Sequence, residues 1–524
     1  MVFISTITAF LMTAFSLAEL GDGFGMFFDM YLLGLGWSET SVIVSGILRG
    51  VVDFSLKGIV GDIIDKTTYD RRVFLGGAAL AIALSSCMVF VVNGADDVDK
   101  AIVYIVRSLE SVALSFLGPA FGAVTLSAFG PELFDKMQVQ RELVSHAGSI
   151  VSAALSGVVA WYMYPNIQIL FLLPTIFAVS AIYFVRYIPR GDPLMGRGFH
   201  GTTEKRDEQG CVVDTHKDEP EPEAASYWDV FSDKRILWII VADVFHVLAE
   251  ANVGLVFNET LADVGTYSSS NTAEVYDDDL AEYMEYQNED DAVMSRNAIP
   301  LLATAGSAAQ LVMIAGTFMV GYLTEKGWGR KPFYVAHLCV HPVRVALLIL
   351  CLYTNAGSAW LVSTEFVGGL TGAFGIVNAF MRADILFGSG RFNVVDGFQA
   401  TIRGIAATSS SYIGAYILEN NGPMMALSIS FCIAIIPPII GAVFVPETLG
   451  MRQVDFKEEK EEEKIQRALS REEDGEGLGG RLLSMLSGDN ENRNTSEPAH
   501  ENYTELPNVS SSGSGSQGSK RQLV

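Results

Sequence analysis

Long uninterrupted apolar runs constrain this chain more than any other feature. Of its 524 residues, 50% are hydrophobic and only 18% are charged, and the mean hydropathy is +0.31. Several runs reach the length of about 20 residues that an α-helix needs to cross about 30 Å of hydrocarbon. Backbone polar groups must be satisfied inside a bilayer, so such runs cross it as helices. The sequence therefore predicts an all-α integral membrane protein.

We count twelve membrane-spanning segments. The first is expected to remain as a helix and not to be a signal peptide, because no Lys or Arg precedes Arg49. The predicted spans are 4–34, 38–61, 71–93, 100–128, 139–164, 166–188, 235–258, 297–323, 332–354, 359–387, 394–418 and 422–445.

Basic residues mark one side of the predicted spans, and only Lys100 and Arg296 lie on the other side. Lys and Arg are concentrated in cytoplasmic loops. Both termini are therefore expected in the cytoplasm, with the membrane being the plasma membrane or that of an organelle. The residues on this side are Lys66, Arg71, Arg72, Lys136, Arg141, Arg186, Arg190, Lys234, Arg235, Lys326, Arg330, Lys331 and Arg391.

The net charge of −25 comes mainly from polar segments at about 203–233, at 259–296 and after Pro446. Segments of this composition are solvated, and they do not indicate a binding face for a basic partner. The five cysteines are scattered, with no CxxC spacing. Neither a disulfide framework nor a cysteine metal site is predicted.

Two polar stretches, "GDIIDKTTYDRR" at 61–72 and "GYLTEKGWGRK" at 321–331, each follow the second span of a six-span set. The chain is therefore expected to be a duplicated half. The predicted domains are an N-terminal half (1–188), a cytoplasmic linker (189–234), a C-terminal half (235–450) with an acidic outer loop (259–296), and a disordered tail (451–524).

These stretches resemble the loop motif GxxxD[RK]xG[RK][RK] of the major facilitator superfamily. "RSLESVALSFLGP" is similar to the superfamily's fourth-helix motif, and "FVPETLG" to the end of the last helix in many members. "DKTTYDRR", "FHVLAEAN" and "GSGRFN" together are similar to a little-characterised branch of these transporters. The resemblance covers about 4–450 and implies twelve helices in two pseudo-symmetric six-helix bundles. The matching residues are Gly61, Asp65, Lys66, Arg71 and Arg72 in the first half, and Gly321, Glu325, Lys326, Arg330 and Lys331 in the second.

The motif residues also have a physical interpretation. Gly61 and Gly321 allow helices to approach closely. Asp65 and Glu325 are placed to cap the positive N-terminus of a neighbouring helix, and the nearby basic residues keep them ionised. Such a cap is a gate contact that can form and break. The alternative is that the basic residues only set the topology.

Polar residues inside spans are expensive and indicate a cavity or a buried partner. In the superfamily fold, spans 1, 4, 7 and 10 surround the central cavity, and the polar residues concentrate there. We predict substrate or ion contacts for the helix faces that carry them, with a buried structural network as the alternative. For Arg107 and Glu110, mutual neutralisation is the alternative. The candidates are Glu19, Asp22, Asp29, Arg107, Glu110, Asp243, His246, Glu250 and Glu365.

Three other polar groups favour a structural interpretation. They are Arg49 with Asp53 and Lys57, Asp396 with Arg403, and His337 with His341. Arg403 is also placed to contact an anionic substrate. The pair His337 and His341 lacks third and fourth metal ligands nearby in sequence, so packing or a lipid-headgroup contact is preferred.

A secondary active transporter that moves a small solute by alternating access, coupled to protons, fits these features best. No P-loop is present, so transport driven by ATP is not expected. A non-transporting sensor or scaffold with the same fold is the alternative, and a membrane enzyme is disfavoured because the histidines are few. We expect a functional monomer that binds membrane lipid, a small-molecule substrate and protons or another coupling ion, with no nucleic acid, metal or cofactor.

Overall fold

A computed structural model describes residues 4–22, 28, 31–32, 35–163, 167–199, 223–272 and 298–449. All of them belong to one unit, Met1–Glu458. The second unit, Glu459–Val524, lies outside the described residues. Most of the predicted acidic loop and the whole predicted tail also lie outside them.

The described residues form α-helices and short 3-10 turns, without a strand among them. The helices are α1 Thr6–Asp22, α2 Glu39–Lys66, α3 Arg71–Met88, α4 Asp97–Met163, α5 Leu172–Val185, α6 Tyr227–Phe231, α7 Lys234–Thr272, α8 Ala298–Glu325, α9 Arg330–Tyr353, α10 Ser358–Leu386, α11 Phe392–Asn421, α12 Pro423–Ala434 and α13 Ile436–Val443.

The predicted fourth and fifth spans both lie in α4. Gly130 interrupts this 67-residue helix with a φ of 72°, and Pro131 follows it. A positive φ suits glycine, and proline removes a backbone donor. We call the parts before and after Gly130 the first and second limbs of α4. Each limb is long enough for one membrane crossing.

Helix ends follow local capping chemistry. Ser38 accepts a hydrogen bond from the backbone N–H of Ser41 at the start of α2. Asp70 does the same for Arg72 at the start of α3, at 3.0 Å. Gly422, with a φ of 80°, separates α11 from α12, which opens with Pro423. These residue types are the ones that favour helix boundaries.

The outer faces of the helices are apolar and uncovered. Eight helical stretches of the described residues are long and apolar enough to cross a membrane. In the apolar window of Arg71–Val91 only 39% of the residues are buried, and large side chains such as Leu84 and Phe318 are 59% and 62% exposed. Such a surface requires hydrocarbon around it. The chain is a multi-pass integral membrane protein.

Helices α2 and α11 pack along each other at backbone distance. A Cβ atom on Gly61 would lie 2.2 Å from the carbonyl oxygen of Asn393, and one on Gly397 would lie 2.2 Å from that of Lys57. Helix α8 packs in the same way on the second limb of α4, where a Cβ atom on Gly321 would lie 2.7 Å from the side chain of Val139. Small residues permit these close approaches.

Candidate functional site

A cavity of about 410 Å³ lies among α4, α7, α8, α9, α10 and α11. Its volume is in the range of about 300–1,000 Å³ typical of small-molecule sites. Its wall combines apolar residues such as Phe134, Ile376 and Phe392 with many titratable ones. These are Arg141, Glu142, His146, Asp243, His246, Glu250, His337, Arg382, Asp396 and Arg403.

Asp243 lies at the base of a hydrogen-bond network. It is 2% exposed. Its carboxylate accepts hydrogen bonds from the side-chain amides of Asn378 and Gln399 and from the Tyr334 hydroxyl at 3.3 Å. A buried charge needs such donors. The network joins α7, α9, α10 and α11 at one carboxylate.

Two arginines of α10 and α11 differ in their partners. Arg382 contacts the Asp396 carboxylate at 2.7 Å and donates to the Gln399 side-chain oxygen at 2.7 Å. Arg403 is exposed and lines the cavity. Within the described part of the chain, no hydrogen bond or ion pair involves it. One cationic group of the cavity is therefore available to a ligand.

Three histidines contact each other at the wall. The His246 ring centroid lies 4.5 Å from that of His337 and 4.9 Å from that of His341. His337 donates through Nδ1 to the Thr371 carbonyl at 2.7 Å. His246 Nε2 lies 3.6 Å from a Glu250 carboxylate oxygen, and Glu250 is 43% exposed.

The histidine pair of α9 therefore packs toward α7, where the sequence suggested packing or a lipid-headgroup contact. His341 is 1% exposed and His337 is 8% exposed, so both rings are enclosed by protein. Within the described residues, no group of three or more His, Cys, Asp or Glu side chains has an arrangement that holds a metal ion. The cluster is a buried, titratable extension of the cavity wall.

The second limb of α4 adds polar groups that the sequence analysis did not assign to the cavity. His146 Nδ1 lies 2.6 Å from the Gln310 side-chain oxygen, and Arg141 pairs with Glu142. Arg141 was interpreted only as a topology marker. The available signal was the spacing of Gln138, Glu142 and His146, at one-turn intervals in an apolar segment.

Several predicted site residues lie away from this cavity. Arg107 and Glu110 pair at 3.1 Å and line a separate small pocket of about 20 Å³. Arg107 also stacks on the Phe28 ring, 3.9 Å from its centroid. Glu365 pairs with Arg344 of α9. The structure does not bring these groups together with Asp243.

The acidic residues of the first span are only partly placed. Glu19 and Asp22 belong to the α1 backbone, but their side chains lie outside the described residues. Asp29 lies outside them altogether. A cavity contact by these three carboxylates stays a prediction.

We call the end of the helix bundle that carries the motif residues the basic end. Asp65 accepts hydrogen bonds from the backbone N–H of Val394 at 2.7 Å and of Asn393 at 3.3 Å. The Asn393 side-chain amide donates to it at 2.7 Å. Because α11 begins at Phe392, Asp65 caps this helix, which is the contact that the motif predicts.

The electrostatics of Asp65 follow from its position. It is 3% exposed and lies beyond the predicted second span. Burial raises the pKa of this carboxyl to about 7, although hydrogen bonds from Asn393 and Val394 and the charge of Arg391 act in the opposite direction. The cap is therefore sensitive to protonation near neutral pH.

The second motif copy is arranged differently. Glu447, from "FVPETLG", caps α9 by accepting from the backbone N–H of Arg330 at 2.7 Å and of Lys331 at 3.1 Å. The Arg330 side chain pairs with Asp135 and, at 3.2 Å, with Asp384. Glu325 is exposed beside the second limb of α4. Within the described part of the chain it makes no hydrogen bond or ion pair.

The remaining motif cations make local contacts. Lys66 pairs with Asp62 at 2.6 Å, and Arg72 pairs with Asp70. The Arg71 side chain donates to backbone carbonyls of the loop after α2, and the Lys326 ammonium lies 4.3 Å from the Tyr322 ring centroid. These contacts stabilise the loop after α2, next to the Asp65 cap, and the loop after α8.

Residues 187–199, which we call the strap, run across the basic end and contact both sides of it. Arg197 donates to the backbone carbonyls of Asp65 and Lys66. The Gly196 carbonyl accepts from the Asn393 side chain at 2.9 Å, and the Gly198 carbonyl accepts from the Gly388 N–H at 2.6 Å. The strap ties the ends of α2, α10 and α11 together.

Two known proteins are similar to this chain in sequence. No family model matches the chain. Two curated relatives, uncharacterized MFS-type transporters of Mycobacterium tuberculosis strains CDC 1551 / Oshkosh and H37Rv, are each 26% identical over 440 residues, 83% of this chain and 92% of theirs. The similarity extends over nearly the full length of both relatives.

Solved structures give the same fold. A bacterial homologue of the iron transporter ferroportin, in an outward-facing state with soaked iron, aligns with a TM-score of 0.55 and 14% identity over 84% of this chain and 99% of its own. The proton:xylose symporter XylE bound to 6-bromo-6-deoxy-D-glucose aligns with a TM-score of 0.56 and 12% identity, over 84% and 94%. At this identity the likeness establishes the fold alone.

Proposed function

We propose that this chain, a multi-pass membrane protein of the major facilitator superfamily, is a secondary transporter that carries a small polar solute by alternating access. The observation that carries the proposal is the cavity with its ten titratable lining residues. Ionisable groups inside a membrane protein are expensive unless a cavity or a partner uses them. A structural core would not require them.

The proposal includes two moving halves, 1–188 and 235–450, joined by the linker. Support comes from the repeated polar motif and from contacts at the basic end. Opening there would separate α2 from α11, so that the cap from Asp65 to Val394 and the strap contact from Asn393 to Gly196 would both break. Such a gate fits alternating access.

The proposal also includes coupling to protons. Glu250 is partly exposed beside His246, which is buried, at 3.6 Å. Two further histidine rings contact His246. A carboxylate and an imidazole in contact can exchange and share a proton. The sequence suggests the same role for Glu19 and Asp22.

Proton coupling can be tested with the purified protein in proteoliposomes. An imposed proton gradient should drive the accumulation of a small solute, and a proton ionophore should abolish it. In Glu250→Gln we expect accumulation to be lost while exchange of solute across the membrane continues. Exchange requires the conformational cycle but no net proton movement.

Glu419→Gln is the matched control, because Glu419 is exposed near the end of α11 and lies outside the cavity. It should accumulate solute like the wild type. Accumulation in Glu250→Gln that equals the wild-type level would contradict the role of Glu250. Uptake that is independent of both the proton gradient and the ionophore would contradict proton coupling itself.

A further inference from the structure

We infer that the solute is a small organic anion whose carboxylate or phosphate group binds Arg403. This inference rests on the proposed transport function and specifies its substrate class. It comes from the pairing of charges around the cavity, not from the number of charges. Most acidic groups of the wall are paired with a donor, whereas Arg403 has neither an ion pair nor a hydrogen bond among the described residues.

Most acids of the wall are already engaged. Asp243 accepts from two amides and a tyrosine hydroxyl, and Asp396 pairs with Arg382 at 2.7 Å. A cationic solute would have to displace the donors of these two carboxylates. Glu250 lies 3.6 Å from His246, beyond hydrogen-bond distance, and is the proton carrier of the proposed function.

The arginines of the wall differ from one another. Arg141 pairs with Glu142, and Arg382 pairs with Asp396. Arg403 is exposed toward the cavity and has neither an ion pair nor a hydrogen bond within the described part of the chain. A guanidinium without a protein partner at the cavity wall is free to pair with an anion that enters the cavity. Its planar fork matches a carboxylate or a phosphate in two hydrogen bonds.

The surroundings of Arg403 suit the rest of such a solute. The cavity volume of about 410 Å³ suits a small metabolite. Thr317 and Thr371 line the wall with hydroxyl groups, while Phe134 and Phe392 offer apolar surface. This combination allows a polar head at Arg403 and a short carbon skeleton beside it.

The test compares anions with neutral molecules of the same shape. The full-length protein in detergent is mixed, at equal ionic strength, with lactate or lactamide, succinate or succinamide, and glycerol phosphate or glycerol. The melting temperature is measured in each mixture, and uptake of the same compounds is measured in proteoliposomes. We expect at least one anion to raise the melting temperature and to be transported, while its neutral counterpart does neither.

The variants separate Arg403 from general charge effects. Arg403→Gln should weaken the apparent binding of that anion at least about tenfold, and Arg403→Lys should restore part of it. Arg186→Gln removes an exposed arginine that does not line the cavity and should bind like the wild type. Size-exclusion chromatography of each variant shows that it is folded.

The inference would be overturned by neutral compounds that stabilise as well as anions, or by unchanged anion binding in Arg403→Gln. A wild-type protein that none of the anions stabilises would also overturn it. If the proposed transport function fails but the inference about Arg403 holds, an anion binds through Arg403 and no compound of any charge crosses the proteoliposome membrane.

Discussion

Asp65 receives three hydrogen bonds from the first residues of α11 and is almost fully enclosed. Its pKa lies near 7 in this closed arrangement, against the ordinary value of 3.8. When the basic end opens, water returns to the carboxyl and its pKa falls toward the ordinary value. The closed state therefore binds a proton more tightly than the open one.

This difference predicts a pH-dependent gate. Because the pKa is raised in the closed state, closure is favoured at low pH and weakens as pH rises from about 4 through about 7. The measurement is the labelling rate of Ser127→Cys, a buried position at the basic end, in a background without other cysteines. Labelling should speed up between about pH 4 and pH 7 and level off above it, after correction for thiol ionisation.

Two variants complete this measurement. In Asp65→Asn the pH dependence should flatten, since no carboxyl remains to titrate. Asp62→Asn should keep it: burial acts to raise the pKa of Asp62, but hydrogen bonds from Lys66 and Tyr227 bring it below its ordinary value, so Asp62 does not titrate near 7. An equal pH dependence in Asp65→Asn and the wild type would remove Asp65 from the gate.

The two caps differ in how far sequence alone could predict them. Asp65 lies in a recognisable motif, and its role as a helix cap follows from the acid that precedes the basic residues. Glu447 caps α9 although it lies more than a hundred residues away in sequence. No local pattern connects the two ends. Glu325 was expected to act like Asp65 because the motif repeats, but the cap of α9 comes from the chain after α13 instead.

Among the structural elements, the strap is the feature most directly linked to opening. Met195, Gly196, Arg197 and Phe199 are all buried. The Phe199 ring lies against Gly390, where an added Cβ atom would come within 2.2 Å of it. Such a segment adds to the free energy needed to separate α2 from α11.

Weakening the strap should therefore favour the open basic end. In Arg197→Ala and Phe199→Ala we expect faster labelling of Ser127→Cys at every pH, with protein yield and helicity unchanged. The direction follows from lost hydrogen bonds to the backbone of Asp65 and Lys66 and from lost apolar burial. Arg186→Ala, a substitution outside the strap, is the control. Labelling that stays at the wild-type rate in both strap variants would show that the strap does not restrain opening.

Helix positions were easier to predict than helix orientations. The long apolar runs predicted the spans, because length and hydropathy determine what crosses a bilayer. It did not show that α9 turns His337 and His341 toward His246, since the rotation of a helix about its axis depends on its neighbours. The Asp396 and Arg382 pair was missed for the same reason, because the partners lie on different helices.

For the whole molecule, the distribution of basic residues predicts which side each loop faces. A tag after Val524 should be protected from external protease in intact cells, whereas a tag inserted near Ser269 should be cleaved. The reason is the concentration of Lys and Arg on one side of the spans. Both tags on the same side would contradict the twelve-span topology, and with it the duplicated halves.

The central claim is that one cavity opens alternately to the two sides of the membrane. It can be tested before any substrate is known, because access of water-soluble reagents does not require transport. Ala379 is small and lines the cavity, so Ala379→Cys in a background without other cysteines is a suitable reporter. Membrane-impermeant maleimides are added from one side or the other to oriented vesicles.

If the cavity opens alternately to the two sides, Ala379→Cys is labelled from both of them. Arg197→Ala combined with Phe199→Ala, which weakens the strap, should increase labelling from the basic end and decrease it from the opposite end. A trade-off of this kind separates a transporter from a fixed receptor with the same fold. Labelling from a single side, unchanged by the gate variants, would contradict alternating access and favour a sensor or scaffold.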